Sequence, residues 1–236
     1  MARTLQFERI KQIPTNHKYA VFGYIRQCQL LFKSKETYYQ IHKSIQYSIL
    51  LFYAFIDSKI LTQKESDKLL TMFEEQNKFK ELEPYSYHLL YASYRDGIGE
   101  DIFKKICHDQ QNLLCLIEMK SGNVWGGYTS KGWRDNLKVA AQDDDKAFMF
   151  VIRSKNNDPA RRFNILKPKM ALYNTSGYYL IFGAVNCYWI NKDGDSAGTY
   201  NRKSRREVDY EPIPEDNYIL GQKPRTIQSI EVHSIK

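Results

Sequence analysis

Residues 112–133 read NLLCLIEMKSGNVWGGYTSKGW. The run from Leu113 to Glu118 is apolar on consecutive positions, as expected of a strand buried on both faces. The five residues MKSGN carry Gly122 at a position suited to a turn. They predict a hairpin between strands over 113–118 and 124–129. Gly126 and Gly127 then interrupt the second strand. Glycine inside a strand weakens it, so two in succession signal a bulge or the close approach of another backbone or ring. Trp125 and Tyr128 are the expected covers for this bare backbone. The functional alternative is a phosphate cradle, but neither G-x-x-x-x-G-K-[ST] nor G-x-G-x-x-G occurs in the stretch. A packed sheet is the better reading.

Working outward, the same character continues towards the C-terminus. The short apolar runs KAFMFVI, GYYLIFGAV, CYWIN and TIQSIEVHSI are separated by turn residues, which predicts a sheet structure with a thick core in two layers. Just upstream, GEDIFKKICHD predicts one short helix with Ile102, Phe103 and Ile106 facing inward. Before Pro84 the periodicity is helical. Val21, Tyr24, Ile25, Cys28, Leu31 and Phe32 share one face, and Ile41, Ile45, Ile49, Phe52 and Ile56 share another. Thr62 and Glu65 form a T-x-x-E capping box that opens a third helix through Leu69, Leu70, Met72 and Phe73. These helices can pack as a small bundle or lie against the sheet. The expected fold is α+β, a two-layer antiparallel β-sandwich flanked by helices over residues 84–236, preceded by an all-α N-terminal module over residues 1–83.

Composition bounds the function. The chain has 236 residues, of which 42% are hydrophobic and 26% charged, which excludes wholesale disorder. The 18 Tyr and 12 Phe suit sheets and an aromatic core. The net charge of +8 divides evenly, +4 over residues 1–84 and +4 over residues 85–236. Neither part resembles a basic tail, and the charge serves solubility and steering. Cys28, Cys107, Cys115 and Cys187 are far apart with no C-x-x-C, so reduced thiols in an intracellular protein are expected. No signal peptide or transit peptide is expected from the first residues. The most apolar stretch, IQYSILLFYAFI, has 12 residues, too few for a membrane span of roughly 20.

The segment LYASYRDGIGEDIFKKICHDQQNLLCLIEMKSGNVWGGYTSKGW, followed by KAFMFVI, resembles the TLDc domain of the oxidation-resistance family. The matching elements are Arg95-Asp96-Gly97, Gly122, Gly126-Gly127-Tyr128 and Trp133, then Phe148, Gly183 and the closing Ile230-Glu231-Val232. The order agrees across residues 85–236. Asn186-Cys187 and His233 depart from the pattern, the latter standing where an aromatic residue is common. The N-terminal segment is similar to helical ones that precede diverse domains in protist proteins. The resemblance implies a two-sheet sandwich flanked by helices, a role in resisting oxidative stress, and binding to the vacuolar proton-pumping ATPase (V-ATPase).

Candidate chemistry weighs against catalysis. Cys107-His108-Asp109 holds the residue types of a nucleophilic triad, but sequence neighbours on a helix diverge, and Cys107 shares the apolar face of Phe103. The histidines show no H-E-x-x-H spacing, and the acidic run Asp143 to Asp145 is expected to be a solvated loop. NKDGDSAG lacks the glycine position and terminal glutamate of a calcium loop. No catalytic residue, metal or cofactor is expected. The strongest surface feature is Arg202, Lys203, Arg205 and Arg206 within NRKSRR, a candidate docking patch for an acidic protein surface. No nucleic-acid module accompanies it, and neither nucleic acid nor membrane insertion is expected. The expectation is a cytoplasmic, non-enzymatic protein-interaction domain. The alternatives are a structural component of another protist assembly anchored by its N-terminal helices, and a thiol-based redox enzyme using Cys107 and Cys115.

Overall fold

The computed structural model describes residues 57–74, 87–133, 140–184, 186–201, 209–212, 219–221 and 223–235. The helices expected over residues 21–32 and 41–56 lie outside them, as does the basic run at 202–206. Helices α1 (Gln63–Glu74), α2 (Ser93–Asp96) and α3 (Glu100–Cys107) and a 3-10 turn at Pro168–Met170 accompany eleven strands among the described residues. The strands are β1 (Tyr87–Ala92), β2 (Leu113–Met119), β3 (Val124–Thr129), β4 (Ala140–Gln142), β5 (Phe148–Arg153) and β6 (Arg161–Asn164), then β7 (Leu172–Asn174), β8 (Tyr178–Phe182), β9 (Asn186–Asn191), β10 (Ala197–Asn201) and β11 (Ile227–Ile235).

Two antiparallel sheets stack face to face. The first runs β1-β11-β2-β3-β5-β6 and the second β10-β9-β8-β7-β4. The last strand in sequence thus lies between β1 and β2, closing the first sheet from within. Its alternation explains the layering. Leu113, Cys115 and Ile117 of β2, Met149 and Val151 of β5, and Ile230 and Val232 of β11 belong to the core shared with the second sheet. Leu114, Leu116, Phe148 and Phe150 point the other way, yet they too are fully buried. Both faces of the first sheet are therefore covered, which is why its strands read as unbroken apolar runs.

Of the two arrangements open to the third helix, α1 lies against the sheet. Its capping box forms as expected: the Thr62 backbone N–H donates to Glu65 at 2.8 Å, and the Glu65 N–H reaches the Thr62 hydroxyl at 3.4 Å. Its apolar stripe then delivers Phe73 edge-on to Phe148 and Tyr128, with ring centroids 4.9 and 5.2 Å away.

The hairpin Leu113–Met119 to Val124–Thr129 forms as expected, pairing Cys115 with Gly127 and Leu116 with Gly126. The two glycines serve opposite faces. A Cβ on Gly127 would stand 2.5 Å from the Phe182 ring of the facing sheet, so that ring occupies the side-chain space the glycine vacates. A Cβ on Gly126 would run into the Cys115 carbonyl of β2 and lie 2.8 Å from the Phe150 ring. The expected covers, Trp125 and Tyr128, are not the ones used. Period-2 alternation turns Trp125 into the inter-sheet core beside Tyr188, while Tyr128 turns outward to Phe73. The space over a strand glycine is filled from neighbouring and facing strands, which local sequence does not reveal.

Helix α3 joins the layers. Phe103 and Cys107 are fully buried, and Ile102 and Ile106 pack half-buried against the same core. Trp133 stands between Phe103 and Phe182 at 5.8 and 5.3 Å.

Candidate functional site

Glu231 is the one carboxylate on β11, within the otherwise apolar and small-polar IQSIEVHSI. It is 0% exposed, and a buried charge persists only when paired and hydrogen-bonded. Its partners converge from three elements. Ser58 Oγ donates at 2.6 Å, the Lys59 backbone N–H at 2.7 Å, and the Tyr94 hydroxyl of α2 at 2.7 Å. On its own strand, His233 Nε2 lies 3.1 Å away. Burial pushes the Glu231 carboxyl up, but the hydrogen bonds from His233, Ser58, Lys59 and Tyr94 outweigh it and hold the group below the usual carboxylate range. Burial and the adjoining carboxylate raise the Tyr94 hydroxyl, keeping it a donor. The Lys59 ammonium lies 4.5 Å over the Tyr94 ring.

Further along, the same N-terminal segment is gripped by two arginines of the sheet. Arg153 of β5 donates to Glu65 at 2.7 and 2.9 Å and to the Ile60 carbonyl at 2.9 Å. A third carboxylate, Glu118 of β2, lies 3.3 Å from Arg153. Arg162 of β6 donates to the Met72 carbonyl and stacks 3.7 Å over the Phe148 ring. Residues 57–74 thus form a strap held at Glu231, Arg153, Arg162 and the Phe148–Tyr128 pair. Glu65, like Glu231, is raised by burial but lowered overall by Arg153 and Thr62. Both carboxyls lie below their ordinary value near 4.5, so they contribute stability above that pH and lose it as pH falls through their lowered values. The unfolding midpoint in urea should hold from neutral pH to about pH 5 and then decline. A Glu231→Gln, Glu65→Gln double variant should show a shallower decline, measured by circular dichroism.

Other residues on which the sequence resemblance rests occupy joints of the fold. Arg95 Nη2 donates to the Leu90 carbonyl at 2.7 Å and pairs with Asp96 at 2.8 Å, while the Ala92 N–H donates to Asp96 at 2.9 Å. The turn after α2 therefore folds back along β1. Gly97, Gly122 and Gly183 take positive φ at 99°, 95° and 86°, each at a chain reversal where a side chain would be strained.

The acidic run is not a uniform loop. Asp144 is buried and accepts hydrogen bonds from the Thr129 hydroxyl at 2.8 Å, the Ser130 N–H at 2.6 Å and the Ser130 hydroxyl at 2.7 Å, locking the end of β3. Asp143 pairs with Lys131 at 2.6 Å. Among the described residues no group of three or more His, Cys, Asp or Glu converges as metal ligands. Cys107 and Cys115 are both buried, and burial pushes both thiols up, disfavouring the thiolate that nucleophilic or redox chemistry requires.

The basic candidates Arg202, Lys203, Arg205 and Arg206 lie outside the described residues, but the chain that follows them is fixed. The Asp209 carbonyl accepts the Leu166 N–H at 2.7 Å and the Lys167 N–H at 3.1 Å. Leu166 is 50% exposed; nearby Lys169 is exposed and Lys167 half-buried. Sequence reading did not single out Ser58, Lys59, Tyr94 or Arg153. An acidic residue centred in an apolar strand was the available signal that partners must exist.

Among the described residues no helix is long and apolar enough to cross a membrane. The sequence model of the TLDc domain matches residues 55–236. No curated protein matches the chain.

Proposed function

Because this chain belongs to the TLDc-domain family, we propose that it is a non-enzymatic protein-interaction module acting in the cytoplasm. Its partner is a large assembly, with the peripheral subunits of the V-ATPase as the first candidate, and its effect is to support resistance to oxidative stress. The observation that carries this reading is where the reactive side chains are spent. Glu231 and Asp144 satisfy hydrogen bonds that hold the fold, and the thiols of Cys107 and Cys115 are buried with raised pKa. A rigid platform of this kind acts through differential affinity, shifting an assembly towards whichever state it grips better.

The contact is proposed to use the basic run Arg202 to Arg206, whose charge suits an acidic protein surface. Affinity capture of the full chain from lysate, followed by mass spectrometry, should recover pump subunits. Replacing Arg202, Lys203, Arg205 and Arg206 with serine should reduce recovery about tenfold or more, since loss of rim charges slows encounter. Recovery of a different assembly would refute the partner, and undiminished recovery by the serine variant would refute the patch.

A further inference from the structure

One end of the first sheet carries a row of lysines that the fold does not use. Lys120 follows β2, Lys155 follows β5 and Lys223 precedes β11, and all three are exposed. The strand order β11-β2-β3-β5 sets them side by side, across about 14 Å at the usual strand spacing. Their loops are joined beneath by Asn123, which is 1% exposed. Its Oδ1 accepts the Lys155 N–H at 3.2 Å and the Ser121 hydroxyl at 3.4 Å, and its Nδ2 donates to the Ile219 carbonyl at 3.4 Å. The Lys120 N–H donates to the Thr226 carbonyl at 2.9 Å. The backbone of the row is therefore pinned, while the ammonium groups reach outward on flexible stems.

The acids that face these loops are already held. Glu118 accepts from Arg153 at 3.3 Å and from Ser229 at 2.9 Å, and Glu65 is bound to Arg153. Asp158 accepts the Ser154 hydroxyl at 2.7 Å, and Asp195 accepts the Asn191 amide at 2.9 Å. Lys120, Lys155 and Lys223 make no ion pair among the described residues, and the half-buried Arg225 adds a further positive charge beside them.

We propose that this end of the sandwich is a docking face for an anionic lipid surface, with Lys120, Lys155 and Lys223 resting among acidic headgroups. Two features favour lipid over protein. Lysine is depleted in protein interfaces, whose centres are apolar, and the exposed large apolar side chains Tyr94, Ile98, Leu166 and Tyr178 all lie off these loops. Lysine on a flexible stem suits instead the diffuse negative charge of a lipid leaflet. Attraction of this kind is peripheral, needs no spanning helix and does not depend on which assembly the chain binds.

Sedimentation of the full chain with vesicles tests the proposal. Vesicles of phosphatidylcholine with about one-third phosphatidylserine should bind the chain, and vesicles of phosphatidylcholine alone should bind it at least tenfold more weakly. Neutralising one lysine should weaken binding about fivefold, and the Lys120→Gln, Lys155→Gln, Lys223→Gln triple variant about a hundredfold. The corresponding triple change to arginine should restore it. Because Arg202 to Arg206 also attract anions, the same comparison is made in a chain with those basic residues changed to serine, where the loss should have the same size. The three side chains are exposed, so the urea midpoint should stay at the wild-type value, and the single substitutions give the same reading should the triple variant not fold. Absence of binding to the anionic vesicles, equal binding to neutral ones, or undiminished binding by the glutamine variants would overturn the proposal. So would tighter binding of the wild type to soluble polyglutamate than to vesicles of equal charge, which would assign the face to an acidic protein. None of these outcomes bears on the recovery of pump subunits from lysate, which is read separately.

Discussion

Replacing Gly126 with alanine is expected to leave the chain unable to reach its native fold. The added methyl group would overlap the Cys115 carbonyl of the paired strand and sit 3.0 Å from the carbonyl carbon and 2.8 Å from the Phe150 ring. Overpacking a core usually costs about 1–3 kcal/mol when side chains can yield. Here the first obstacle is backbone. Moving β3 away from Cys115 would break the pairing of Leu116 with Gly126 at the centre of the sheet, and the Phe150 ring is itself fully buried. The expected cost exceeds about 3 kcal/mol, a large share of the stability of about 5–15 kcal/mol typical of a domain. Expression of Gly126→Ala should yield insoluble protein, or soluble protein without a cooperative urea transition. A variant that unfolds within about 1 kcal/mol of the wild type would show that this strand pair has room the structure denies it.

The second large effect is expected at Glu231. Glu231→Ala removes the acceptor shared by Ser58, Lys59, Tyr94 and His233, leaving the nearly inaccessible His233 ring without that partner. Breaking a buried, hydrogen-bonded charge cluster by deleting one member costs about 3–5 kcal/mol. Glu231→Gln keeps an acceptor oxygen but loses the charge, for which about 1.5–3 kcal/mol is expected. Urea unfolding measures both. Hydrogen exchange locates the damage, because amide protection should fall first at residues 59–61, whose N–H groups depend on the Ser58–Glu231 contact. Equal protection of this stretch in Glu231→Ala and wild type would mean that the strap is held by α1 alone.

These two sites differ in how far the sequence discloses them. Gly126 and Gly127 announce a close approach because the reason for strand glycine is steric and local, and the hairpin about Gly122 and the capping box at Thr62 are readable for the same reason. What approaches is not readable. Phe182 comes from the other sheet, whereas Trp125 and Tyr128, the adjacent aromatics, pack on Tyr188 and Phe73. Glu231 lies further beyond reach, since Ser58 and Tyr94 are separated from it by 173 and 137 residues. A lone acid in an apolar strand demands donors without naming them. The division between Asp143, paired near the surface, and the buried Asp144 is likewise fixed by the end of β3 rather than by the acidic run itself. The family resemblance supplies the two-sheet sandwich, and the strand order and the contacts of the strap come from long-range packing.

Arg95 carries one more consequence. Among the described residues strand β1 pairs with a single neighbour, β11, and a sheet border of that kind is where fibrils are templated. The Arg95 guanidinium occupies the Leu90 carbonyl and brings charge to the rim. An incoming strand would have to displace it and strip its water. Charge held at a sheet border in this way disfavours edge-to-edge pairing between copies of a chain.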